Sequence, residues 1–154
     1  SLPKGAPIVE GFDKARYLGK WYEIARFDFA FEKNLNNTTA EYGLRDDGKI
    51  SVTNRGYNYV KGKWQEAKAK ARFVGADTRA ALEVSFFGPF YAGYNVIALD
   101  KDYNYALVAG DSLKYLWILS RVKTIPEDVK KDYLALAASL GYDVASLIWV
   151  EHDK

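Results

Sequence analysis

The chain has 154 residues, 49% of them hydrophobic and 27% charged, a composition typical of a globular protein with one domain spanning residues 1–154. Its 22 basic and 20 acidic residues give a formal charge of +2 with both signs interspersed, which disfavours a dedicated nucleic-acid-binding role. It has no cysteine and one histidine, so thiol chemistry is excluded and a zinc or haem site has almost no ligands.

Short apolar runs separated by turn signals extend from Trp21 to Arg121, at the spacing expected of an all-β barrel or sandwich. Eight sequential antiparallel strands close most simply as an up-and-down β-barrel, and a sandwich is the competing architecture. The Asp-Gly pair within "DDGK", residues 46–49, is a strong hairpin signal between the second and third strands. The predicted strands are Gly19–Phe29, Thr38–Arg45, Ile50–Gly56, Lys63–Val74, Arg79–Phe87, Tyr94–Asp100, Tyr105–Gly110 and Tyr115–Arg121.

The fourth predicted strand alternates strictly between charged and small apolar residues. Its charged face carries Glu66, Lys68, Lys70 and Arg72, and its apolar face carries Ala67, Ala69, Ala71 and Phe73. This pattern predicts one solvent-facing side and one inward side. Alanines on the inward side leave room for a cavity, unless bulky residues opposite fill the space; the strand alone leaves both alternatives open.

One amphipathic helix follows the strands. Thr124 and Glu127 have the spacing of a capping box, and Gly141 stands where a C-terminal cap belongs. Its apolar face, which we expect to pack outside the sheet, carries Val129, Tyr133, Leu136 and Leu140. A last short strand is predicted over Ser146–His152.

The sequence offers little support for catalysis. The single histidine, His152, lies two residues from the end of this chain, where fraying and solvation are expected. No glycine-rich loop of the P-loop or dinucleotide type occurs. We therefore expect no catalytic residue, no metal and no cofactor.

Aromatic and apolar residues concentrate in the connections that a barrel would gather at one end. Such an apolar rim suggests ligand entry, membrane contact or a partner surface, although some of these residues could instead pack beneath the loops. The rim residues are Phe29, Phe31, Leu35, Tyr57, Tyr59, Trp64, Phe87, Phe90, Tyr91 and Tyr115.

Three motifs in order resemble those of the lipocalins. Gly19-x-Trp21-Tyr22 resembles the first motif, Asp102-Tyr103 a truncated second motif, and Arg121 the lone arginine of the third. The strings "YLGKWYEIARFD", "VSFFGPFYAGYNVIALD" and "YLWILSR" are similar to bacterial lipocalins, outer-membrane lipoproteins of the branch that includes apolipoprotein D and plant temperature-induced lipocalins. The resemblance spans essentially the whole chain.

The resemblance implies roles for particular residues. Arg121 should cross the closed end of the barrel and pack on Trp21, close to Gly19, as a structural cation–π pair. Lys101 stands where the second motif usually has threonine, so the hydrogen bonds of that turn are in question. The resemblance also implies an internal cavity, with Tyr91 and Tyr115 near its mouth. From the alternation of side chains along each strand, we expect its lining to include Ala25, Phe27, Ala40, Tyr42, Ile50, Val52, Ala67, Ala69, Ala71, Phe73, Leu82, Val84, Trp117 and Leu119.

The implied function is non-catalytic binding, storage or transport of an elongated hydrophobic ligand, such as a fatty acid or a lysophospholipid. A carrier of a planar chromophore is the alternative, and an isomerase or esterase and a homodimer built on the aromatic rim are further ones. Bacterial relatives are periplasm-facing lipoproteins anchored through an N-terminal cysteine, which this chain lacks, so membrane association is implied by the resemblance alone. The candidates for headgroup contact are Arg55, Lys61, Tyr91, Lys114 and Tyr115.

Glu23 is a lone carboxylate within the first apolar strand. Its parity with Trp21 and Ala25 points it inward near the closed end, where a charged group needs a partner or a raised pKa. We predict a hydrogen-bonded structural glutamate, with ligand contact as the alternative.

Overall fold

The computed structural model of the chain describes residues 2–154, except for the side chain of Phe87. Within these residues one sheet contains nine strands, two α-helices are present, and single 3₁₀ turns occur at Ala30–Glu32 and Val144–Ser146. The helices are α1 (Lys14–Tyr17) and α2 (Glu127–Ser139). The strands are β1 (Gly19–Arg26), β2 (Leu35–Leu44), β3 (Ile50–Asn58), β4 (Lys63–Phe73), β5 (Ala81–Phe87), β6 (Phe90–Leu99), β7 (Tyr105–Ala109), β8 (Leu116–Ser120) and β9 (Ile148–Trp149).

The first eight strands close into a barrel. Each pairs antiparallel with its neighbour in the chain, and β1 pairs with both β2 and β8. Tyr22, for example, lies between Thr39 of β2 and Ser120 of β8. The predicted eight-stranded up-and-down barrel is therefore confirmed.

Strand β4 has the predicted alternation. Ala71 belongs to the interior cluster and lies between Ile50 of β3 and Val84 of β5. On the outer face, the Arg72 guanidinium lies 2.7 Å from a Glu83 carboxylate oxygen. Small residues thus face inward along most of this strand.

A β-bulge divides β1 into two halves that face different cores. The pairing with β8 shifts register between Glu23 and Ala25, which inserts one extra residue at Ile24. Before the bulge Trp21 faces the barrel interior, and after it Ala25 and Phe27 pack with the residues beneath α2. The expectation that Ala25 and Phe27 line the cavity is therefore wrong, because the extra residue reverses strand parity.

The closed end is built around Trp21 and Arg121, as the resemblance implies. The Arg121 guanidinium lies 3.8 Å from the centre of a Trp21 ring and donates hydrogen bonds to the carbonyls of Arg16, Lys20 and Tyr103 at 2.8, 3.1 and 3.0 Å. Gly19 has φ +97°, and a Cβ there would lie 3.5 Å from Arg121.

Asp100 supplies the hydrogen bonds of the turn after β6. One of its carboxylate oxygens accepts from the amides of Asn104 and Tyr105, both at 2.7 Å. Tyr103 adopts φ +57° in this turn. The turn is thus held by a carboxylate three residues before Tyr103, despite Lys101 at the position where the motif usually has threonine.

An N-terminal segment covers the closed end, which the sequence reading did not predict. The Val9 amide donates to Val96, and the Ala80 amide donates to the Val9 carbonyl. Asp13 caps α1, and the last residue of this helix, the buried Tyr17, lies at the barrel floor. Phe12 packs there against Tyr17, with ring centres 5.1 Å apart.

Helix α2 packs outside the barrel on the predicted face, with Tyr133 and Ala137 buried over β7 and β8. Its N-cap is Pro126 and no side chain caps it, so the predicted capping box of Thr124 and Glu127 is wrong. The C-terminus is as expected: Gly141 has φ +100°, and hydrogen bonds Gly141 N to Ala138 O and Tyr142 N to Ala137 O form a Schellman motif. Neither α-helix in residues 2–154 is long and apolar enough to cross a membrane.

The chain after α2 is ordered against the barrel. The last strand is only Ile148–Trp149, shorter than predicted, and pairs with β1. His152 contacts the Glu23 carbonyl through Nε2 at 2.7 Å and packs edge-on against Tyr22. The expectation that His152 is frayed and solvated is wrong, because the tail forms specific contacts with β1 and β2.

Candidate functional site

The barrel encloses a cavity of about 420 Å³ that opens at the end opposite Arg121. This volume falls within the range of about 300–1,000 Å³ typical of small-molecule sites. Its wall combines small and apolar side chains with a few polar ones. The lining includes Ala40, Val52 and Asn54 from β2 and β3, Gln65 and Ala67 from β4, Val84, Phe86, Ala92 and Tyr94 from β5 and β6, and Trp117 and Leu119 from β8.

The predicted lining residues fall into three groups. Five lie in the interior below or beside the main space: Ile50, Ala69, Ala71, Phe73 and Leu82. Three lie outside the barrel: Ala25, Phe27 and Tyr91. The remainder face the cavity itself: Ala40, Tyr42, Val52, Ala67, Val84, Tyr115, Trp117 and Leu119.

Three tyrosines form the floor of the cavity: Tyr17 and Tyr42 are buried and Tyr94 is partly buried. The Tyr94 hydroxyl lies 2.6 Å from that of Tyr17 and 2.7 Å from that of Tyr42. Burial raises the pKa of all three hydroxyls above the usual tyrosine value, so they remain neutral phenols. Sequence reasoning missed Tyr17 and Tyr94, although the two-residue spacing of Tyr94 from Val96 carried the signal for an inward position.

The segment that joins β1 to β2, residues 27–34, crosses the mouth; we call it the mouth segment. Its Phe31 stacks on Phe86 of β5, on the far side of the barrel, with ring centres 5.9 Å apart. Its Phe29 packs edge-on against Tyr115 and Trp117, each at 5.9 Å. Phe31 nevertheless leaves 65% of its surface exposed, so the mouth presents apolar surface to its surroundings.

Glu23 and Arg26 form a buried, hydrogen-bonded pair in the cavity wall. Arg26 is 2% exposed; it donates to Glu23 Oε1 at 3.2 Å and, through Nη2, to the carbonyls of Glu32 and Leu35, each at 2.9 Å. These bonds tie the mouth segment to β1. Trp117 Nε1 donates to Glu32 Oε1 at 3.1 Å. Glu23 is thus the buried, hydrogen-bonded structural glutamate that we predicted, and it also faces the cavity.

The Glu23 carboxyl resists ionisation. Burial raises its pKa well above the usual glutamate range, and the neighbouring Glu32 carboxylate raises it further, whereas Arg26 opposes the shift. Two carboxyl groups therefore share one guanidinium in this wall. An anionic group of a ligand would be unfavourable here, because Arg26 is already engaged.

The aromatic rim is divided between the mouth and the outer surface. Phe31, Tyr59, Phe90 and Tyr115 are exposed at or beside the mouth. By contrast, Tyr57 and Trp64 pack against each other with ring centres 5.4 Å apart. Phe87 belongs to the predicted rim, but its side chain lies outside the described part of the structure.

The predicted headgroup contacts are not gathered at one point. The Arg55 guanidinium stacks on Trp64 at 3.8 Å, and Arg55 also borders the cavity. Arg72 lies 3.7 Å over the Tyr91 ring on the outer face, so Tyr91 does not line the cavity. Lys61 and Lys114 are exposed in the connections after β3 and β7. Among residues 2–154 no group of three or more histidines and carboxylates is placed to hold a metal ion.

Comparison with known proteins places this fold and cavity in a family. The profile of the lipocalin-like domain matches residues 12–152. Outer membrane lipoprotein Blc of Escherichia coli K12 is 58% identical over 149 residues, which cover 97% of this chain and 84% of that protein. Apolipoprotein D of Mus musculus is 33% identical over 150 residues, or 92% of this chain and 77% of that protein.

Solved structures show the same architecture. Insecticyanin of the tobacco hornworm Manduca sexta superposes with a TM-score of 0.76 at 22% identity, covering 95% of this chain and 84% of that one. The names of the close bacterial relatives support an outer-membrane location for this chain. The domain match and these relatives show that the chain belongs to the lipocalin family, whose members bind small hydrophobic ligands and are generally non-catalytic.

Proposed function

We propose that this protein binds an elongated hydrophobic ligand, a fatty acid or a lysophospholipid, in the barrel cavity and stores or transports it without catalysing its conversion. The observation that carries the proposal is the cavity of about 420 Å³, with small and apolar side chains along its wall and an apolar, exposed mouth. The proposed ligand contacts are Ala40, Tyr42, Val52, Ala67, Val84, Tyr115, Trp117 and Leu119.

The energetics favour such a ligand. Burying a 16-carbon chain at ~0.8 kcal/mol per methylene yields about 13 kcal/mol before any cost is subtracted. Association costs at least ~4 kcal/mol in lost translational and rotational freedom. At most ~9 kcal/mol remains, which allows an affinity in the micromolar range.

The charges of the site favour one orientation. The acidic pair Glu23 and Glu32 lies in the wall, and its one buried cation, Arg26, is already paired. Exposed lysines lie in the connections at the open end, among them Lys33, Lys61 and Lys114. We infer that the acyl chain enters the cavity and that the polar head stays at the mouth, in water or near these lysines.

A pair of tryptophan substitutions on β4 tests the proposal. Ala67 faces the cavity, whereas Lys68, the next residue, faces outward. Ala67→Trp should fill part of the cavity and weaken hexadecanoate binding by about tenfold or more, because the added ring occupies volume that the acyl chain needs. The measurement is displacement of a dansyl-labelled fatty acid followed by fluorescence, repeated with a palmitoyl lysophospholipid.

The matched control is Lys68→Trp, which adds the same ring outside and should leave affinity within about twofold of wild type. Equal affinities for the two variants would contradict the cavity as the binding site. Absence of saturable binding of either lipid to folded wild-type protein at tens of micromolar would contradict the proposed function.

A further inference from the structure

The three floor tyrosines carry more hydrogen-bond donors than their own contacts use. Tyr17, Tyr94 and Tyr42 form a chain of three hydroxyls joined by two hydrogen bonds, 2.6 and 2.7 Å long. Each hydroxyl has one proton to donate. Whichever way the two bonds run, one of the three O–H donors is left over.

Two of the three tyrosines face the main cavity. Tyr42 and Tyr94 both line it, and Tyr94 is only partly buried. The separate space of about 10 Å³ among the three rings is bordered by apolar side chains and exposes no polar atom. A group at the inner end of a chain in the main cavity would therefore meet the hydroxyls from the side of that cavity.

The surroundings select the charge of a group that meets these hydroxyls. Arg121 contributes its guanidinium to the Trp21 ring and to three backbone carbonyls at the closed end. Since Arg121 is engaged there and Glu23 and Glu32 stand in the same cavity wall, a carboxylate at the floor would lose its hydration without gaining a cation. A neutral oxygen, by contrast, accepts the spare O–H proton, and a hydroxyl also finds tyrosine lone pairs to donate to.

We propose that the Tyr17–Tyr94–Tyr42 chain is a specificity subsite that accepts a neutral oxygen, a hydroxyl or carbonyl, at the inner end of a chain ligand. The inference rests on the proposed function, because it requires a hydrophobic chain whose head stays at the mouth. If the subsite exists, the protein tolerates or prefers acyl chains that carry an oxygen at the end remote from the head. An entirely apolar cavity would reject such chains.

The test uses ligands that differ only at the inner end. Heptadecanoate and 16-hydroxyhexadecanoate have nearly the same shape, with a methyl group replaced by a hydroxyl; tridecanoate and 12-hydroxydodecanoate repeat the pair at a shorter length. Dissociation constants are measured by displacement of a dansyl-labelled fatty acid. In at least one of the two pairs, we expect the dissociation constant of the hydroxy acid for wild-type protein to be no more than about threefold above that of its plain isostere. The reason is that the buried hydroxyl is hydrogen-bonded.

The variant is the triple substitution Tyr17→Phe, Tyr42→Phe and Tyr94→Phe. Removing all partners of a hydrogen-bond network together, with shape kept, is close to neutral for stability, so we expect this variant to fold. In this variant the ratio of the hydroxy acid's dissociation constant to that of its plain isostere should be about tenfold higher than in wild type, because the hydroxyl is then buried unpaired. The plain acid is the internal reference for any change that the substitutions themselves, Tyr42→Phe among them, make to the cavity wall. The control is Tyr91→Phe, the same change on the outer face of β6, which should keep the wild-type ratio.

The outcomes separate this inference from the proposed function. Binding of plain acids together with a loss of about tenfold or more for both hydroxy acids on wild-type protein would overturn the subsite alone. An unchanged ratio in the triple variant would do the same. Should the triple variant not fold, the wild-type ratios decide by themselves. Failure of every acid to bind wild-type protein would overturn both proposals.

Discussion

Glu23 shows how one residue can combine a structural role with an electrostatic cost. The residue is 7% exposed, and its carboxyl accepts a hydrogen bond from Arg26, which in turn holds the mouth segment. Burial next to Glu32 nevertheless makes its ionised form unfavourable. The stability of the barrel should therefore depend on pH through this side chain.

The sign of that dependence follows from the raised pKa. Below the pKa of about 4.3 that glutamate has in the unfolded chain, the carboxyl is protonated in both states, so it costs the folded state no stability. As pH rises, the unfolded carboxyl ionises first, so wild-type protein loses stability until the folded carboxyl also ionises. The loss is at most about 1.4 kcal/mol per pH unit from one such group.

Glu23→Gln should remove this loss, since the amide keeps an acceptor for Arg26 but does not titrate. We expect the variant to gain free energy of unfolding relative to wild type as pH increases from 4.5 to 8. Urea unfolding at several pH values measures it, with Glu41→Gln at an exposed position of β2 as the control. A difference between variant and wild type that stays flat with pH would contradict the assignment.

Strand alternation predicted most of the barrel but could not predict where a strand changes phase. Period-two patterns placed Ile50, Val52 and the β4 alanines inward, because these strands run without interruption. In β1, the bulge at Ile24 reverses the parity of everything after it, and no residue type there signals the insertion. Arg26 consequently points towards Glu23 and Glu32 in the cavity wall. In a regular strand it would face the opposite side of the sheet.

The start of α2 shows a different failure of pattern reading. Thr124 and Glu127 have capping-box spacing, yet a residue before proline is driven to extended conformations. Ile125 precedes Pro126, so the helix begins only at Glu127, and Thr124 lies too far upstream for its hydroxyl to cap. Its carbonyl instead accepts a hydrogen bond from Ser120.

The end of α2 yields a prediction, since Gly141 has φ +100° in the Schellman motif. Gly141→Ala should lower the free energy of unfolding by about 1–2 kcal/mol, because a Cβ is disfavoured in the left-handed region. The measurement is the urea midpoint.

Gly88→Ala is the matched control: no atom would lie within 4 Å of its added Cβ, and its φ is not in the left-handed region. This change should alter stability by less than about 0.5 kcal/mol. Equal losses for the two variants would contradict the assignment of the cost at position 141 to its left-handed backbone conformation.

At the scale of the molecule, the barrel has one end sealed by polar contacts and one end covered by apolar residues. The N-terminal segment, Trp21 and Arg121 close the first end, and the mouth segment crosses the second. The sequence predicted the aromatic mouth, and its resemblance to the lipocalins implied the Trp21–Arg121 pair. It did not predict the N-terminal cover, because Val9 and Ala80 meet through backbone hydrogen bonds that leave no side-chain pattern.

Ligand binding should stabilise the whole barrel, since the cavity exists only in the folded state. At a free ligand concentration 100 times the dissociation constant, the free energy of unfolding should rise by about 2.7 kcal/mol. For a chain of this size that is an increase in melting temperature of roughly 5–10 °C. Differential scanning calorimetry with and without hexadecanoate measures it; the Ala67→Trp variant should show a smaller shift at the same concentration.

The bulge in β1 separates two tasks that share one strand. Trp21 and Glu23 before it face the interior, and Ala25 and Phe27 after it serve the contact with α2, whereas Arg26 stays in the cavity wall. Substitutions that reshape the cavity therefore need not disturb the packing of α2 against the barrel, and substitutions beneath α2 need not reshape the cavity. For protein engineering, β1 behaves as two surfaces joined at Ile24, and a change that straightened the strand with every residue kept would bring Ala25 and Phe27 into the ligand space.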